Sequence, residues 1–582
     1  MTELQEKVLE LLKEIDALCK ANGIEFFLAA GSALGAVRHH GFIPWDDDAD
    51  ICMTSENWKK FYALSEAGGL PEGRKLVHVE KNYKSGYVIN RYVDVTTMRL
   101  YRYLCSNPQP AGIIVDILVL DLVPDEPEAI QDYLVNLADY SSILTKATSI
   151  SQRFPYDTHF RKNYLTGRVV GRRRVLDRLK EASLKYDGTR EGVYIQRDPL
   201  VPHIWKQEVY GTPQYVPFED TLMPIPAKPY EHLSIAFDED WMYVPGNLER
   251  ENHIKSISLT ISNNNAIRDY RRHIDKKAIN RAYVRRQTFN NLAGQVEKKQ
   301  DWERLKMAAA KIRLSYRRRG MDPGALLAQL ERGEYDALSE YFAEYLELQA
   351  NKGMIGGVSV NSWLRAQEPF YIDLGDDFLY VCLRSFLHGP NLGRANRILK
   401  GRELAGESGA RVTELRALID NCKLGCAWME AGACKEVLEL AEPLHRKYPE
   451  NLIMMRLYYA ARYYLAAADP AAREALGKEL AQLPEDDVLS CIRAWIFWQA
   501  ERRGSALRIY GKLAENSNHG MVLMHIRDTL ATVDEDASAY EHAMTVRIAA
   551  AEKMGDFIDA DALREVLSEY QLSISETEGE RA

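Results

Sequence analysis

Residues 46–50 read DDDAD and lead directly into an apolar run, so several carboxylates are concentrated before one predicted strand, Ala49–Met53. Side chains alternate along a strand, which places Asp48 and Asp50 on the same face and turns Ala49 toward the core. Neighbouring carboxylates repel one another unless a cation lies between them. Mg²⁺ or Mn²⁺, which prefers oxygen ligands, would satisfy this arrangement. An exposed acidic loop without a metal is the alternative.

A third acid stands alone in a second apolar run. Asp116 interrupts Gly112–Leu120, which reads GIIVDILVL and predicts a buried strand. A lone carboxylate in such a strand is costly unless it lies at a strand end or beside a cation. We therefore predict that Asp48, Asp50 and Asp116 form one catalytic, metal-binding set.

The residues before the acidic run supply the groups that phosphate chemistry needs. Gly31 and Ser32 follow the apolar run Ile24–Ala30 and predict a turn after a strand. Arg38 and His39 follow as a short cationic cluster. A glycine-serine turn, then paired acids, then an acid inside an apolar strand is a far more specific order than any of its parts.

The surrounding elements predict a mixed α/β nucleotidyltransferase-like domain over residues 1–255. An amphipathic helix over residues 1–20 ends at Asn22-Gly23, and a second helix is predicted over Glu56–Glu66. Residues 199–230 carry seven prolines and predict an extended loop.

Strand signals fade after residue 255, which predicts a helical connector over 256–375 and an all-α domain over 376–582. Similar loop sequences recur at intervals of about 35 residues, at Tyr448–Asn451, Leu483–Asp486 and Glu515–Asn518. This period resembles tetratricopeptide-like helical repeats, which would give the domain a surface for a protein partner. A plain helical bundle is the alternative.

Composition excludes several classes of protein. A net charge of -9 over 582 residues argues against a nucleic-acid-binding protein. No window is long and apolar enough for a transmembrane segment, and the start lacks a signal peptide, so we expect a cytoplasmic protein. Cys422, Cys426 and Cys434 allow a zinc site, but their spacing favours packing on helices.

The run GSALGAVRHHGFIPWDDDADI over residues 31–51 is similar to the signature of the LicD family, which contains phosphocholine transferases of the nucleotidyltransferase superfamily. This chain departs from the family pattern at Ala33, His40 and Ala49, none of which should remove a ligand. Later segments, VPFEDTLMPIPAKPYEHL and YVPGNLERENH, resemble the family's closing motifs. The resemblance covers residues 8 to about 255.

The resemblance implies a role for each matching residue. Asp48, Asp50 and Asp116 would hold Mg²⁺ or Mn²⁺, with Asp116 as ligand or base. The donor-binding residues would be Gly31, Ser32, Arg38, His39, Arg91 and Asp94. His253 closes the last motif, but a lone histidine is more often structural, and for His39 the structural and functional roles are equally weighted.

The implied activity is transfer of a phospho-alcohol, phosphocholine or a polyol phosphate, from a CDP-linked donor to a hydroxyl of a cell-surface glycan or glycolipid. Because such acceptors are often lipid-linked, a peripheral position at the inner membrane face is also expected. Two alternatives remain. One is a nucleotidyltransferase that uses an NTP, and the other is a non-catalytic scaffold that recruits partners through its helical repeats.

Overall fold

A computed structural model describes two contrasting parts of the chain, a mixed α/β part followed by an all-helical part, as predicted. Within the described ranges, no helix has the length and apolar character needed to cross a bilayer. The described residues are 1–78, 89–101, 111–144, 166, 169–197, 203–246, 254–260, 262, 322–350, 374–404, 409–535 and 539–581.

The described residues of the α/β part form ten strands. They are β1 (Phe27–Leu28), β2 (Asp50–Thr54), β3 (Arg74–Val77), β4 (Asn90–Tyr101), β5 (Ala111–Val123), β6 (Val193–Gln196), β7 (Ile204–Lys206), β8 (Gln214–Phe218), β9 (Thr221–Ile225) and β10 (Ile254–Ser258). Eight of these strands form one sheet with β4 and β5 at its centre, and β8 and β9 form a separate hairpin. β2 runs parallel to β5, whereas β4 and β6 run antiparallel to it.

Seven helices accompany these strands in the described part of the chain. They are α1 (Glu3–Ala21), α2 (Ala30–His39), α3 (Ser55–Glu66), α4 (Pro127–Leu144), α5 (Arg172–Leu184), α6 (Gln207–Tyr210) and α7 (Pro229–Phe237). α1 begins with a capping box between Thr2 and Gln5 and buries its apolar stripe on one face of the sheet. On the other face, Trp205 and Tyr210 pack against Leu118 and Leu120 of β5. The predicted first and second helices and the predicted strand around Asp116 are confirmed.

Two local predictions were wrong. The strand predicted over Ile24–Ala30 is only two residues long, because Ala30 takes a positive φ of 44° and the chain turns into α2 at that point. The predicted extended loop over 199–230 contains the β8–β9 hairpin instead. Its prolines, Pro217 and Pro224, are tolerated because each strand of a two-stranded hairpin leaves one edge unpaired.

Thirteen described helices follow in the C-terminal part. They are α8 (Pro323–Glu331), α9 (Tyr335–Ala350), α10 (Asp376–Phe386), α11 (Leu392–Leu404), α12 (Ala410–Glu430), α13 (Cys434–Lys447), α14 (Leu452–Leu465), α15 (Pro470–Leu480), α16 (Asp487–Gln499), α17 (Arg503–Asn516), α18 (Gly520–Leu530), α19 (Tyr540–Met554) and α20 (Phe557–Arg581). α8 and α9, inside the predicted connector, share a hydrophobic core with α10 to α14. The boundary at residues 375 and 376 stays a prediction.

The recurring loop sequences mark helix starts. Asn451 caps α14 by accepting the Met454 N–H at 2.9 Å, and Asp486 caps α16 by accepting two N–H groups at 3.1 Å. An asparagine or aspartate at this position satisfies the otherwise unpaired N–H groups of a helix start. The 35-residue spacing therefore reports regular helix pairs, while the tetratricopeptide-like repeat family stays a prediction.

Candidate active site

Three charged side chains form a row across three adjacent strands. Asp50 at the start of β2 is the direct register partner of Asp116 in β5, and Asp116 is in turn the partner of Arg91 in β4. Directly opposed residues project from the same face, and neighbouring strands lie about 4.8 Å apart. Arg91 Nε donates to Asp116 Oδ1 at 2.8 Å, and both side chains are largely buried. The structure thus brings Asp50, Asp116 and Arg91 together.

The acidic loop, residues 46–48, precedes this row. One carboxylate oxygen from each of its three aspartates lies within 4.8 Å of the other two. Burial, with the nearby charges of Asp48 and Asp47, raises the pKa of Asp46 to about 8. Crowding that favours protonation of one carboxylate is the situation that a bound cation relieves. In the described ranges this is the one group of three or more acidic, histidine or cysteine side chains with metal-ligand spacing.

A buried glutamine in α1 binds the backbone of the acidic loop. Gln5 of α1 donates from its side-chain amide to the carbonyl oxygens of Ile43 at 3.3 Å and Asp46 at 3.1 Å. Gly31 also lies against the acidic loop. A Cβ at this position would be 2.7 Å from Asp46 Oδ2. Any larger residue would force the Asp46 carboxylate to shift, so the glycine lets the start of α2 lie this close to the acids.

Gly31 and Ser32 lie in the first turn of α2 rather than in a separate turn. The Ser32 hydroxyl is buried and accepts the backbone N–H of Asp50 at 3.0 Å. The first N–H groups of a helix lack intrahelical partners and favour anions. The structure thus places Gly31 and Ser32 beside the acids, and their donor-phosphate role stays a prediction.

Arg38 and His39 lie at the opposite end of α2. Arg38 is buried and donates from Nη1 to the carbonyl oxygens of Trp241 at 2.9 Å and Tyr243 at 3.0 Å. Its Nε donates to His39 Nε2 at 3.0 Å, and the His39 ring meets Trp45 edge to face with centroids 6.1 Å apart. These contacts link the end of α2 to the residue before the acidic loop. The predicted donor-binding roles of both residues remain untested.

Asp94 lies apart from the row. It is three residues from Arg91 along β4 and is therefore on the opposite face of the sheet. Its carboxylate is fully buried, 3.1 Å from Arg74 Nη1 and 3.4 Å from Lys7 Nζ, and it accepts the N–H of Thr96. These contacts stabilise the α1 side of the sheet, and a role of Asp94 toward a donor stays a prediction.

Sequence reasoning missed several residues that shape this site. Asp46 belongs to the same run as Asp48, but it lies in the loop four residues before β2, outside the predicted strand, and was therefore not singled out. Gln5 and Tyr243 are brought in by tertiary packing and carry no local signal. His253 lies outside the described residues.

The cysteine alternative finds no support in the described residues. Cys422 and Cys426 are enclosed in α12, and burial raises the pKa of the Cys426 thiol to about 11. A protonated thiol is a poor zinc ligand. Packing on helices, the favoured interpretation, agrees with their surroundings.

The sheet, the acid row at the start of a parallel strand pair and the glycine-containing helix before it are the features expected of a nucleotidyltransferase-type domain. Residues 23–107 match the family described as LicD/FKTN/FKRP, nucleotidyltransferase domain. This match covers the segment that contains the motif and confirms the resemblance to the LicD family.

Three curated proteins illustrate the similarity. The lipopolysaccharide cholinephosphotransferase LicD of Haemophilus influenzae is 41% identical over 134 residues, covering 22% of this chain and 48% of that protein. An uncharacterised protein of Rickettsia typhi is 38% identical over 88 residues, covering 15% of this chain and 26% of the relative. One of Rickettsia prowazekii is 44% identical over 48 residues, covering 8% and 18%. The chain spans less than half the length of each of these relatives.

Proposed function

We propose that this protein is a metal-dependent transferase that moves a phospho-alcohol from a CDP-linked donor to a hydroxyl of a cell-surface glycan or glycolipid. The observation that carries the proposal is the register of Asp50 opposite Asp116, directly after the acidic loop. Carboxylates assembled in this way suit chemistry at a diphosphate, where negative charge must be neutralised during displacement. The LicD-family match over residues 23–107 supports the same reaction class.

The proposed ligands are of the chemical type that a hard divalent cation prefers, and the acidic loop beside them has metal-ligand spacing. Asp48, Asp50 and Asp116 offer only carboxylate oxygens, which Mg²⁺ and Mn²⁺ prefer, and Asp46 carries a raised pKa that a cation would lower. When bound there, the cation would neutralise charge on the diphosphate oxygens and on the departing nucleotide. Asp46 is an additional candidate ligand from the same loop.

The chain's own residues supply the remaining functions. Asp116 is the group proposed to take the proton from the acceptor hydroxyl, and its ion pair with Arg91 fixes the orientation of its carboxylate. The start of α2, with Gly31 and Ser32, would bind donor phosphate through backbone N–H and hydroxyl groups. Arg38 and His39, at the far end of the same helix, are also proposed to bind the donor.

Phosphocholine is the first donor group to test, because the Haemophilus influenzae relative carries it in its name. A polyol phosphate delivered from its own CDP-linked donor is the second. A choline cation would require an aromatic cage, whereas a polyol would require polar side chains. The acceptor class, lipopolysaccharide or another surface glycan, is proposed on the same relative.

Two other functions remain as alternatives. A nucleotidyltransferase that uses an NTP would employ the same acids but release pyrophosphate. A non-catalytic scaffold would use the helical part to recruit a protein partner and would not need the acid row. A cytoplasmic position, including one at the inner membrane face, stays a prediction for each of these functions.

The experiment is a donor panel with the purified full chain and Mg²⁺. CDP-choline, CDP-ribitol, CDP-glycerol, CTP and ATP are incubated separately, each with lipopolysaccharide as the hydroxyl acceptor, and CMP and pyrophosphate are quantified. We expect metal-dependent CMP release from one CDP-alcohol, abolished by EDTA and by Asp48→Asn. Asp220→Asn, which removes an exposed carboxylate paired with Lys13, is the matched control and should keep full activity. Pyrophosphate release from an NTP would contradict the proposal in favour of nucleotidyl transfer.

A further inference from the structure

A short segment, Trp241–Val244, lies between α2 and the helical part and is bonded to both. We call it the strap. The carbonyl oxygens of Trp241 and Tyr243 accept from Arg38 of α2 at 2.9 and 3.0 Å. The alternate residues bond to the helical part. The Gly520 N–H donates to the Met242 carbonyl, and the Val244 N–H donates to the Asn518 carbonyl, each at 2.8 Å. Alternate residues of the strap therefore bind α2 on one side and the helical part on the other.

Arg456 of α14 fixes the strap through its one tyrosine. It forms a buried ion pair with Asp486, with Nη2 2.6 Å from Oδ2, and its Nη1 donates to the Tyr243 hydroxyl at 2.8 Å. A planar guanidinium bound on two sides to one carboxylate has little freedom to rotate. The position of the Tyr243 hydroxyl is thus set by two helices of the helical part, α14 and the start of α16.

Gly520 allows the close approach of the two parts. A Cβ at this position would lie 2.7 Å from Arg38 Cγ and 2.8 Å from the Met242 carbonyl oxygen. The adjacent His519 ring meets Tyr243 edge to face with centroids 4.9 Å apart. Because any side chain at position 520 would displace Arg38 or the strap, the helical part is fitted to the end of α2 with little tolerance.

Contacts made by Arg38 extend from the strap toward the acidic loop. Its Nη1 is held by the strap, its Nε donates to His39, and His39 packs on Trp45, which directly precedes Asp46. A continuous series of contacts therefore connects Asp486 in the helical part with the acidic loop.

We propose that the helical part is a component of the active-site scaffold, in which Arg456 is a positioning residue that orients α2 and the acidic loop through Tyr243 and Arg38. This inference rests on the proposed function, since it concerns the same site. It assigns the helical part a role in metal and donor geometry that does not require an external partner. Removing a residue that orients a metal-binding side chain commonly lowers metal affinity or activity about 10- to 100-fold.

The test uses three full-length variants that loosen the strap in different ways, namely Tyr243→Phe, Gly520→Ala and Arg456→Gln. The readouts are Mn²⁺ affinity by calorimetry without donor, hydrogen exchange of the peptides covering residues 38–48, and kcat and KM with the donor found active in the panel. We expect Mn²⁺ to bind roughly 10-fold more weakly, exchange of residues 38–48 to rise, and kcat to fall roughly 10-fold. KM should rise to a smaller extent, because Arg38 is also a proposed donor-binding residue.

Matched controls separate positioning from general stability. Arg462→Gln, in the same helix α14, breaks a comparable two-contact pair with Glu479 that does not reach the strap. Gly504→Ala adds a methyl group where nothing lies within 4 Å. Both controls should match the wild type in all three readouts, even where the melting temperature changes.

The possible outcomes distinguish this inference from the proposed function. Wild-type exchange in residues 38–48 and unchanged Mn²⁺ affinity in Tyr243→Phe and Gly520→Ala would overturn the inference while leaving the activity intact. If the wild type binds no Mn²⁺ and uses no donor, the proposed function fails. In that case the hydrogen exchange of residues 38–48 in the three strap variants tests the positioning role by itself. Faster exchange than in the wild type would support that role, and unchanged exchange would overturn it.

Discussion

At the residue scale, the site concentrates negative charge where the backbone is least able to move. Gly31 leaves no room for a side chain beside Asp46, and Gln5 holds the loop through two carbonyl oxygens. These contacts hold the backbone of the loop while its carboxylates repel one another. Protonation of Asp46 or binding of a cation reduces that repulsion.

This crowding predicts a pH dependence for the metal-free protein. The folded-state pKa of Asp46, about 8, lies above its unfolded value of about 3.9, so the folded state binds this proton more tightly. The corresponding contribution to stability is complete below about pH 4 and is lost as the pH rises toward about 8. In EDTA, raising the pH from 5 to 8 should destabilise the wild type more than Asp46→Asn, by at least about 1 kcal/mol.

The measurement is urea unfolding at both pH values, followed by the fluorescence of the α/β part. Mg²⁺ should restore much of the loss at pH 8 in the wild type. Equal pH dependence in the wild type and Asp46→Asn would show that the acidic loop is not crowded as described.

At the residue scale, the sequence alone predicted both acids of the row. Alternation along a strand singled out Asp50, and the apolar context singled out Asp116. It could not place Asp46, whose importance comes from loop geometry. Nor did it separate Arg91 from Asp94, because no strand was predicted over residues 90–101. Along β4 these two residues are three positions apart and therefore lie on opposite faces. Their buried charges are tolerated through partners that are distant in sequence.

At the element scale, the site depends on α1, which contains none of the predicted catalytic residues. Gln5 has two separate functions in this helix. Its side chain closes the capping box with Thr2, and it also binds the carbonyl oxygens of Ile43 and Asp46. The first function stabilises a helix start, and the second fixes the acidic loop.

Two variants separate these functions. Gln5→Leu removes both, leaves two carbonyl oxygens without this donor, and should cost about 1 to 3 kcal/mol while weakening Mn²⁺ binding several-fold. Thr2→Ala removes only the cap, should cost about 0.5 to 2 kcal/mol, and should leave Mn²⁺ affinity unchanged. Calorimetry of Mn²⁺ binding and chemical unfolding measure both effects. Equal Mn²⁺ affinity in the two variants would refute the role of Gln5 in the loop.

The elements themselves were partly predictable. Amphipathic helices and apolar strands have periodic signals, which is why α1, α3 and β5 were found. The β8–β9 hairpin was missed because its prolines suppress strand signals, and β1 was overestimated because the positive φ at Ala30 follows from tertiary packing.

At the scale of the whole molecule, the two parts are joined by more than the strap. Glu239, almost fully buried, lies 2.8 Å from Lys423 Nζ and accepts from Asn396 at 3.2 Å. Glu430 caps the start of α7 by accepting the Tyr230 N–H, and burial raises its pKa to about 7. None of these pairs could be inferred from the sequence, because each joins residues more than 150 positions apart.

We therefore expect the parts to depend on one another for stability. Residues 1–260, which retain β10, lose the helical-part partners of Glu239 and of the strap when expressed alone, and their melting temperature should fall by on the order of 10 °C relative to the α/β transition of the full chain. Calorimetry of both proteins tests this, with Gly504→Ala in the full chain as a control for unrelated change. An unchanged transition in the isolated part would show that the interface contributes little.

The central claim is that the three acids of the row and loop carry out a metal-dependent transfer. The most direct measurement is CMP release by Asp48→Asn, Asp50→Asn and Asp116→Asn in Mg²⁺, beside the wild type and Asp220→Asn, with circular dichroism to confirm folding. Losing a group that stabilises developing charge should lower kcat by about 100-fold or more in each of the three, with Asp220→Asn unaffected. Wild-type turnover in a folded Asp50→Asn or Asp116→Asn protein would contradict the account.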